Sequence, residues 1–381
     1  MTPSVLIVGA GIGGLTLAQV LKRAGAEVQV IEKVASWRPV GAGLILSVNA
    51  LRVLDRVGLR EVTAQAGQTL ASVQLTDARG RPLQTMSYQA YGGAVALHRA
   101  ALQDVLGQGL GEQVRFGTTV QALRQDHQGV DVTFSDGSRH RFDVVVGADG
   151  LHSSVRGLVF GDVPKRYAGY TSWRFVVSAP ASRHAVEMWS RGCRLGFVPI
   201  GGGQTYGYIT ANAQEGQREG TPDPSSEVRA RCAEFADPAP ELLTRLKPDT
   251  PVIRTDIHEV RLPCWVHGRV ALLGDAAHAM TPNLGQGAAM SLEDAWVLGE
   301  QLTASSDLPA ALARYGRIRR RRVDRVQTAS RLLGQAGQLE AAGLRALRAM
   351  AMRLTPPELT RRSMGQLFQA DPGGTGFDDL G

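Results

Sequence analysis

Four glycines near the N-terminus lie within a GxGxxG pattern: Gly9, Gly11, Gly13 and Gly14. The apolar run Val5–Val8 before them predicts a buried strand, and Leu15–Ala24 after them predicts a helix. The N-terminus of that helix offers amide groups to a pyrophosphate, and glycines let the ligand lie against the backbone. Glu32 ends the next predicted strand, where a carboxylate can accept hydrogen bonds from ribose hydroxyls. The pattern therefore predicts a dinucleotide site, and an acid here favours FAD or NAD over NADP.

Two later segments share one design, an apolar strand followed closely by glycine and aspartate. Phe142–Val146 leads to Asp149, and Val270–Leu273 leads to Asp275. Parallel sheets bind their ligands beyond the carboxyl ends of the strands, so each aspartate is a candidate acceptor for a hydroxyl group. Each aspartate taken alone is equally well explained as an ordinary turn or helix-capping residue.

In their order and spacing, these three segments resemble the motifs of the class A FAD-dependent monooxygenases, the para-hydroxybenzoate hydroxylase-like aromatic hydroxylases. The resemblance runs from the first predicted strand to about residue 330. It implies FAD as the cofactor, NADH or NADPH as a transient co-substrate, and O2 as the oxidant. The implied reaction is hydroxylation of an aromatic or heteroaromatic small molecule through a flavin C4a-hydroperoxide.

The resemblance also implies roles for individual residues. Asp275 would accept a hydrogen bond from a ribityl hydroxyl, and Asp149 would contact both the flavin and the pyridine nucleotide. The helix that opens after Pro282 would direct its amides at the flavin N1–C2=O edge, where reduced flavin carries negative charge. Arg99 would reach the flavin side of the cofactor, and the Val120 backbone would contact adenine. The other implied cofactor contacts are Lys33, Arg38, Gly43, Gly285, Gly287 and Ala288.

Candidates for handling the substrate lie in a later stretch of alternating strands. Arg194 and Tyr206 are the predicted catalytic residues, because an arginine stabilises a phenolate or carboxylate and a tyrosine hydroxyl orients or deprotonates a ring. Arg174 is an alternative to them. The sequence contains no metal-ligand spacing, no CxxC pair and no GxSxG nucleophile, so we expect no metal and assign the oxygen chemistry to the cofactor.

Two other functions stay open on these residues. An epoxidase or hydroxylase of a larger apolar substrate would use the same cofactor chemistry. A flavoprotein sensor that holds FAD without turnover is the alternative from a different class. Oxidation of NAD(P)H with uptake of O2 would exclude the sensor.

The elements that must position these residues predict an α/β fold. A doubly wound, Rossmann-like FAD-binding domain accounts for the strand–loop–helix units, and a mostly antiparallel substrate domain is inserted into it. C-terminal helices complete the chain. The predicted parts are residues 1–75, 94–165 and 261–335 for the FAD-binding domain, 76–93 and 166–260 for the substrate domain, and 336–381 for the helical tail.

Composition sets further limits. The 381 residues are 43% hydrophobic and 20% charged, enough to bury a sizeable core. No uncharged apolar stretch has the length of a membrane span. The three cysteines have no CxxC spacing, which favours a reducing compartment, and we expect a soluble cytoplasmic protein.

The net charge of +7 arises in the C-terminal region, where residues 314–362 hold thirteen arginines against three acids. Arg319–Arg322 point all around a helix and have few aromatic neighbours, which favours a solvated helix over a nucleic-acid site. The leucines of this region favour core packing or a dimer face over a membrane surface. We therefore expect a small-molecule substrate and O2 as partners, leave a homodimer open, and expect neither nucleic acid nor a membrane.

Overall fold

The computed structural model describes residues 2–36, 42–217 and 223–369. The strands are β1 (Ser4–Val8), β2 (Glu27–Glu32), β3 (Gly43–Ser47), β4 (Gln68–Leu70), β5 (Ser72–Asp77), β6 (Pro82–Ser87), β7 (Ala94–His98), β8 (Val114–Phe116), β9 (Val120–Gln125), β10 (Val130–Phe134), β11 (Arg139–Phe142), β12 (Val144–Gly147), β13 (Arg166–Ser178), β14 (His184–Trp189), β15 (Cys193–Gly201), β16 (Gln204–Asn212), β17 (Ile253–Glu259), β18 (Val266–His267) and β19 (Val270–Leu272). The helices are α1 (Ile12–Arg23), α2 (Val48–Arg56), α3 (Arg60–Gln65), α4 (Arg99–Gly107), α5 (Ser154–Phe160), α6 (Pro224–Arg231), α7 (Ala239–Thr244), α8 (Asp275–His278), α9 (Gly287–Thr303), α10 (Leu308–Gly337), α11 (Ala342–Leu354) and α12 (Pro357–Gln369).

A six-stranded sheet in the order β18-β19-β12-β1-β2-β8 forms the centre of the FAD-binding part. Its strands are parallel except for the edge strand β18. Val8, Gly147 and Leu272 lie side by side in the register of the sheet. The loops that carry the three motifs therefore leave the sheet at one edge, which confirms the predicted α/β fold with a parallel sheet.

A seven-stranded sheet in the order β17-β13-β16-β15-β14-β5-β6 forms the inserted part, and all its pairs are antiparallel except β14 with β5. One face packs against α6 and α7 through Trp173, Phe175 and Leu195. The opposite face meets the small sheet β3-β7-β4. The predicted domain boundaries stay predictions; β5 pairs within this sheet from Ser72, slightly before the boundary drawn at residue 76.

The C-terminal helices differ from the expectation in two ways. Arg319 is fully buried, so the prediction of a solvated arginine run is wrong for this residue. Helix α11 has no buried residue, so of the two predicted alternatives core packing does not apply to α11, and a dimer face stays a prediction. Helix α12 does return to the core, where Phe368 packs edge-on against Tyr91 at 5.5 Å. Within the described ranges, no helix is long and apolar enough to cross a bilayer.

Candidate active site

The glycine loop between β1 and α1 packs closely against the protein at Gly9 and Gly14 and is open at Gly11. A Cβ at Gly9 would lie 2.5 Å from the Ala148 carbonyl oxygen, and a Cβ at Gly14 would lie 2.0 Å from the Gly9 oxygen. Gly13 is enclosed by side chains in the same way. A Cβ at Gly11, the N-cap of α1, meets nothing within 4 Å, and no side chain caps this helix. Its first amides are therefore available to a pyrophosphate, which fits the predicted role.

Glu32 is anchored beside this loop. Its carboxylate accepts hydrogen bonds from the Ala10 amide at 2.9 Å and from the Val34 amide at 3.2 Å. A carboxylate has more acceptor positions than these two bonds fill, so it can still accept from a ribose hydroxyl. Lys33 follows it and is exposed.

Helix α4 supports the same loop through a residue that the sequence analysis missed. Gln103 donates from its side chain to the Ala10 carbonyl at 2.7 Å. Arg99 begins α4 about one turn earlier on the same helix face, and it is exposed. A glutamine within a helix has no motif to mark it, so only the fold identifies this contact.

The Asp149 carboxylate is occupied by the start of α5. It accepts from the Ser153 hydroxyl at 2.5 Å and from the Ser154 amide at 2.6 Å. Ser153 is the N-cap residue of α5, and Asp149 accepts further bonds from its first turn; the predicted cofactor contacts of Asp149 stay predictions. Arg156 joins two motif loops, since it donates to the Leu151 carbonyl at 2.7 Å and to the Ala276 carbonyl at 2.8 Å.

Asp275 has the opposite environment. It is exposed between buried neighbours, and its carboxylate has no hydrogen-bond partner among the described residues. The following loop exposes Pro282 and Gly285, and no side chain caps the N-terminus of α9, where half-buried Gly287 and Ala288 begin the helix. An exposed carboxylate and a helix N-terminus without a side-chain cap are the groups that a ribityl chain and a flavin N1–C2=O edge require.

We expect Asp275→Ala to weaken FAD retention, because the substitution removes the free acceptor at this edge. The exposed position makes the change harmless to packing. Flavin absorbance per protein after gel filtration measures it, with Asp162→Ala, another exposed aspartate, as the control. An Asp275→Ala protein that keeps a full complement of FAD would contradict the assignment.

A buried ionic network connects α9 with α10. Arg319 donates to Glu293 and to Asp294, each at 2.7 Å, and all three side chains are fully buried. Arg322 adds a bond of 2.6 Å to Glu293, and His278 lies 2.5 Å from Asp294. Burial alone would raise the pKa of Asp294, but His278 and Arg319 outweigh it and lower that pKa to about 2. The carboxylates are therefore charged and paired.

The network reaches the N-terminus of α9, the helix predicted to face the flavin. Asn49 donates to Glu293 at 2.7 Å and to the Gln286 side chain at 3.0 Å. Gln286 is the N-cap residue of α9 and is buried. The ion pairs therefore hold the N-terminus of α9 in place. No local sequence pattern marks this set, because its members come from α2, α8, α9 and α10.

Arg194 is buried and fully engaged. It donates to Thr210 and Gln338, each at 3.1 Å, to Glu187 at 3.3 Å, and to Asn283 at 2.5 Å. Asn283 lies in the loop before α9. These bonds connect the large sheet to the loop before α9. They leave Arg194 few free donors for a substrate. Its predicted catalytic role stays a prediction.

Tyr206 lies on the same face of the sheet and packs directly against Gly43. A Cβ at Gly43 would lie 2.5 Å from the Tyr206 Cβ, so this glycine is required by the approach of the tyrosine. The rings of Tyr206 and Tyr208 lie 5.6 Å apart. Burial raises the pKa of Tyr206 to about 12, so its hydroxyl is protonated at neutral pH and can donate a hydrogen bond.

Arg174 is the other arginine on this face, since its strand position pairs with Tyr208. It donates to Thr255 at 2.5 Å, and its buried Nε has no acceptor within the part of the chain that the structure describes. This unpaired donor is available to a ligand.

Two further predicted cofactor contacts remain. Val120 begins β9 and is buried, and the predicted contact at Arg38 lies outside the described residues.

The chain belongs to the FAD binding domain family, whose model matches residues 2–330. It is 40% identical over 362 residues to the aurachin C monooxygenase/isomerase of Stigmatella aurantiaca, covering 92% of this chain and 94% of the relative. It is 36% identical over 375 residues to the 2-heptyl-3-hydroxy-4(1H)-quinolone synthase of Pseudomonas aeruginosa, covering 96% and 97%. The structure of Klebsiella pneumoniae HpxO with FAD and uric acid superposes with a TM-score of 0.89, at 29% identity and with 98% of each chain covered. The resemblance to class A FAD-dependent monooxygenases is confirmed, and FAD is the cofactor.

Proposed function

We propose that the protein uses NADH or NADPH, FAD and O2 to hydroxylate a neutral heteroaromatic ring that carries an oxo group and an apolar chain. A 2-alkyl-4-quinolone is the type compound. The engagement of Arg194 is the observation that carries the proposal, because the arginine expected to bind a carboxylate or phenolate has its donors satisfied within the protein. The unpaired Nε of Arg174 suits a neutral carbonyl acceptor instead.

The surroundings support an apolar substrate. Val198 belongs to an apolar cluster between the large sheet and β3-β7-β4, and partly buried side chains pack against it: Ile45, Val176, Tyr206 and Tyr208. An aromatic ring with an alkyl chain gains free energy from burial in such surroundings. Quinolone chemistry is also what the name of the Pseudomonas relative describes, and that relative matches nearly the whole chain.

A group of cationic side chains beside the Asp149 loop supports the use of a pyridine nucleotide. The Lys165 ammonium lies 3.0 Å from the His152 ring. Burial, followed by the charges of Lys165 and Lys33, lowers the pKa of His152. A cluster of positive charge attracts the phosphates of NADH or NADPH.

Bound FAD supplies the activation of O2, and the protein supplies position and electrostatics. Tyr206 and Arg174 would orient the ring from the large sheet, and α9 would stabilise negative charge on the flavin side.

The three cysteines are free thiols, which supports a reducing cytoplasm as the compartment.

Anaerobic reduction of the FAD-loaded protein tests the proposal. We expect NADH or NADPH to reduce the flavin faster when 2-heptyl-4-quinolone is present than when salicylate, an aromatic carboxylate, is present. Readmitted oxygen should then give a product heavier by one oxygen atom. Faster reduction with salicylate would contradict the neutral substrate, and a flavin that neither nucleotide reduces would favour the sensor.

A further inference from the structure

Exposed apolar side chains concentrate on the C-terminal helices. Seven large apolar side chains are exposed in the described part of the chain, and the one outside these helices is Leu158 on α5. The other six, termed here the apolar patch, are Leu332, Leu344, Leu347, Met350, Leu354 and Leu359. Single exposed leucines are ordinary, but a set of this size on consecutive helices indicates an interaction surface.

Helix α11 presents its apolar side to solvent and its basic side to the protein. Arg348 donates to the Ala336 carbonyl at 2.8 Å, and its guanidinium lies 4.8 Å from the centre of the Trp189 ring. Arg345 is half-buried on the same side. At 100° per residue, Leu347 and Leu354 fall on the opposite side, where they are 57% and 72% exposed. The arginines of α11 therefore contact the protein, and the leucines of α11 are left exposed to solvent.

Positive charge continues along α10 from Leu332, one member of the apolar patch. Arg317, Arg321 and Arg325 recur every four residues along α10, are exposed, and have no partner within the described ranges. The same helix face continues to Leu332, which is 57% exposed. Arg362 on α12 is also exposed. An apolar surface with a basic stripe beside it is typical of proteins that bind a bilayer surface.

In contrast to the core packing or dimer face that the sequence favoured, we propose that the apolar patch docks on the surface of a bilayer that contains anionic phospholipid. The leucines would enter the boundary between headgroups and acyl chains, and the α10 arginines would lie among the phosphates. Charge decides between this partner and a second copy of the chain. A second copy would place the α10 arginines against a chain whose net charge is +7, whereas anionic headgroups neutralise them. Surface docking requires no spanning helix.

Vesicle co-sedimentation of the full, FAD-loaded chain tests the proposal. We expect binding to vesicles of phosphatidylcholine with phosphatidylglycerol and weak binding to phosphatidylcholine alone. The double variant Leu347→Asp, Leu354→Asp should lower the affinity at least about tenfold. Leu158→Asp, an exposed leucine on α5, is the matched control and should bind as the unmodified chain does.

A second variant separates the contribution of charge from that of the leucines. Arg321→Gln with Arg325→Gln should remove the preference for anionic vesicles. Flavin absorbance and thermal melting verify that each variant is folded. Absence of binding by the unmodified chain, or equal binding by the double leucine variant, would overturn the proposal, as would a dimer that the same variant disperses. The assay contains no substrate, so its failure is distinct from failure of the proposed reaction.

Discussion

Gly11→Val is expected to abolish FAD binding while leaving the fold intact. A Cβ at Gly11 meets no protein atom within 4 Å, and the residue has an extended conformation, φ −78° and ψ −175°, that valine adopts readily. The added side chain would instead occupy the space in front of the free amides of α1, where the pyrophosphate lies in the predicted complex. We expect the affinity for FAD to fall at least about a hundredfold, measured by flavin fluorescence during titration of apoprotein.

Gly14→Val provides the contrast. A Cβ there would lie 2.0 Å from the Gly9 carbonyl oxygen, so this variant should lose the fold of the β1–α1 unit as well as the cofactor. Circular dichroism separates the two cases, because the Gly11 variant should retain the spectrum of the apoprotein. Normal flavin occupancy in Gly11→Val would mean that the pyrophosphate lies elsewhere.

The sequence was sufficient for the parts of the fold that local patterns determine. An apolar run that meets glycines predicts a buried strand and a turn, and β1, β12 and β19 all follow that rule. The meeting of the three motif loops at one edge follows from their parallel pairing. Strands β8 and β9 are separate, because Gly117 lies between them with φ +67°.

The sequence was insufficient where a side chain finds its partner far along the chain. Arg194 bonds to Asn283 and to Gln338, which lie 89 and 144 residues away, so its pairing could not be read from spacing. Arg319 belongs to a run of four arginines that look equivalent, yet it alone of the four is fully buried. The direction in which a helix packs selects one arginine, and that direction is set by tertiary contacts.

Arg319→Met is expected to destabilise the protein by about 3–5 kcal/mol, because it leaves Glu293 and Asp294 buried with reduced compensation. Methionine nearly fills the space that the arginine occupies. The loss in free energy of unfolding therefore comes from unpaired charge rather than from a cavity. Urea denaturation followed by circular dichroism measures the free energy of unfolding. Weaker FAD retention should accompany the loss, since Glu293 connects through Asn49 to the N-cap of α9.

The same pairing predicts how stability depends on pH. The pKa of Asp294 is lowered from 3.8 to about 2 in the folded protein, because the charges of His278 and Arg319 outweigh its burial. A lowered acid pKa stabilises the fold fully above pH 3.8, and this contribution is lost as the pH falls towards 2. In Arg319→Met the pKa of Asp294 should rise, so the acid-induced loss of stability should begin at higher pH than in the unmodified protein.

Arg321→Met is the matched control for this prediction, since Arg321 lies two residues away on the same helix but is exposed and has no partner among the described residues. Its replacement should change the free energy of unfolding by less than about 0.5 kcal/mol and leave the acid transition where it was. Equal effects of the two substitutions would mean that the Arg319 ion pairs do not stabilise the fold. A large effect of Arg319→Met without loss of FAD would confine the network to stability and separate it from the position of α9.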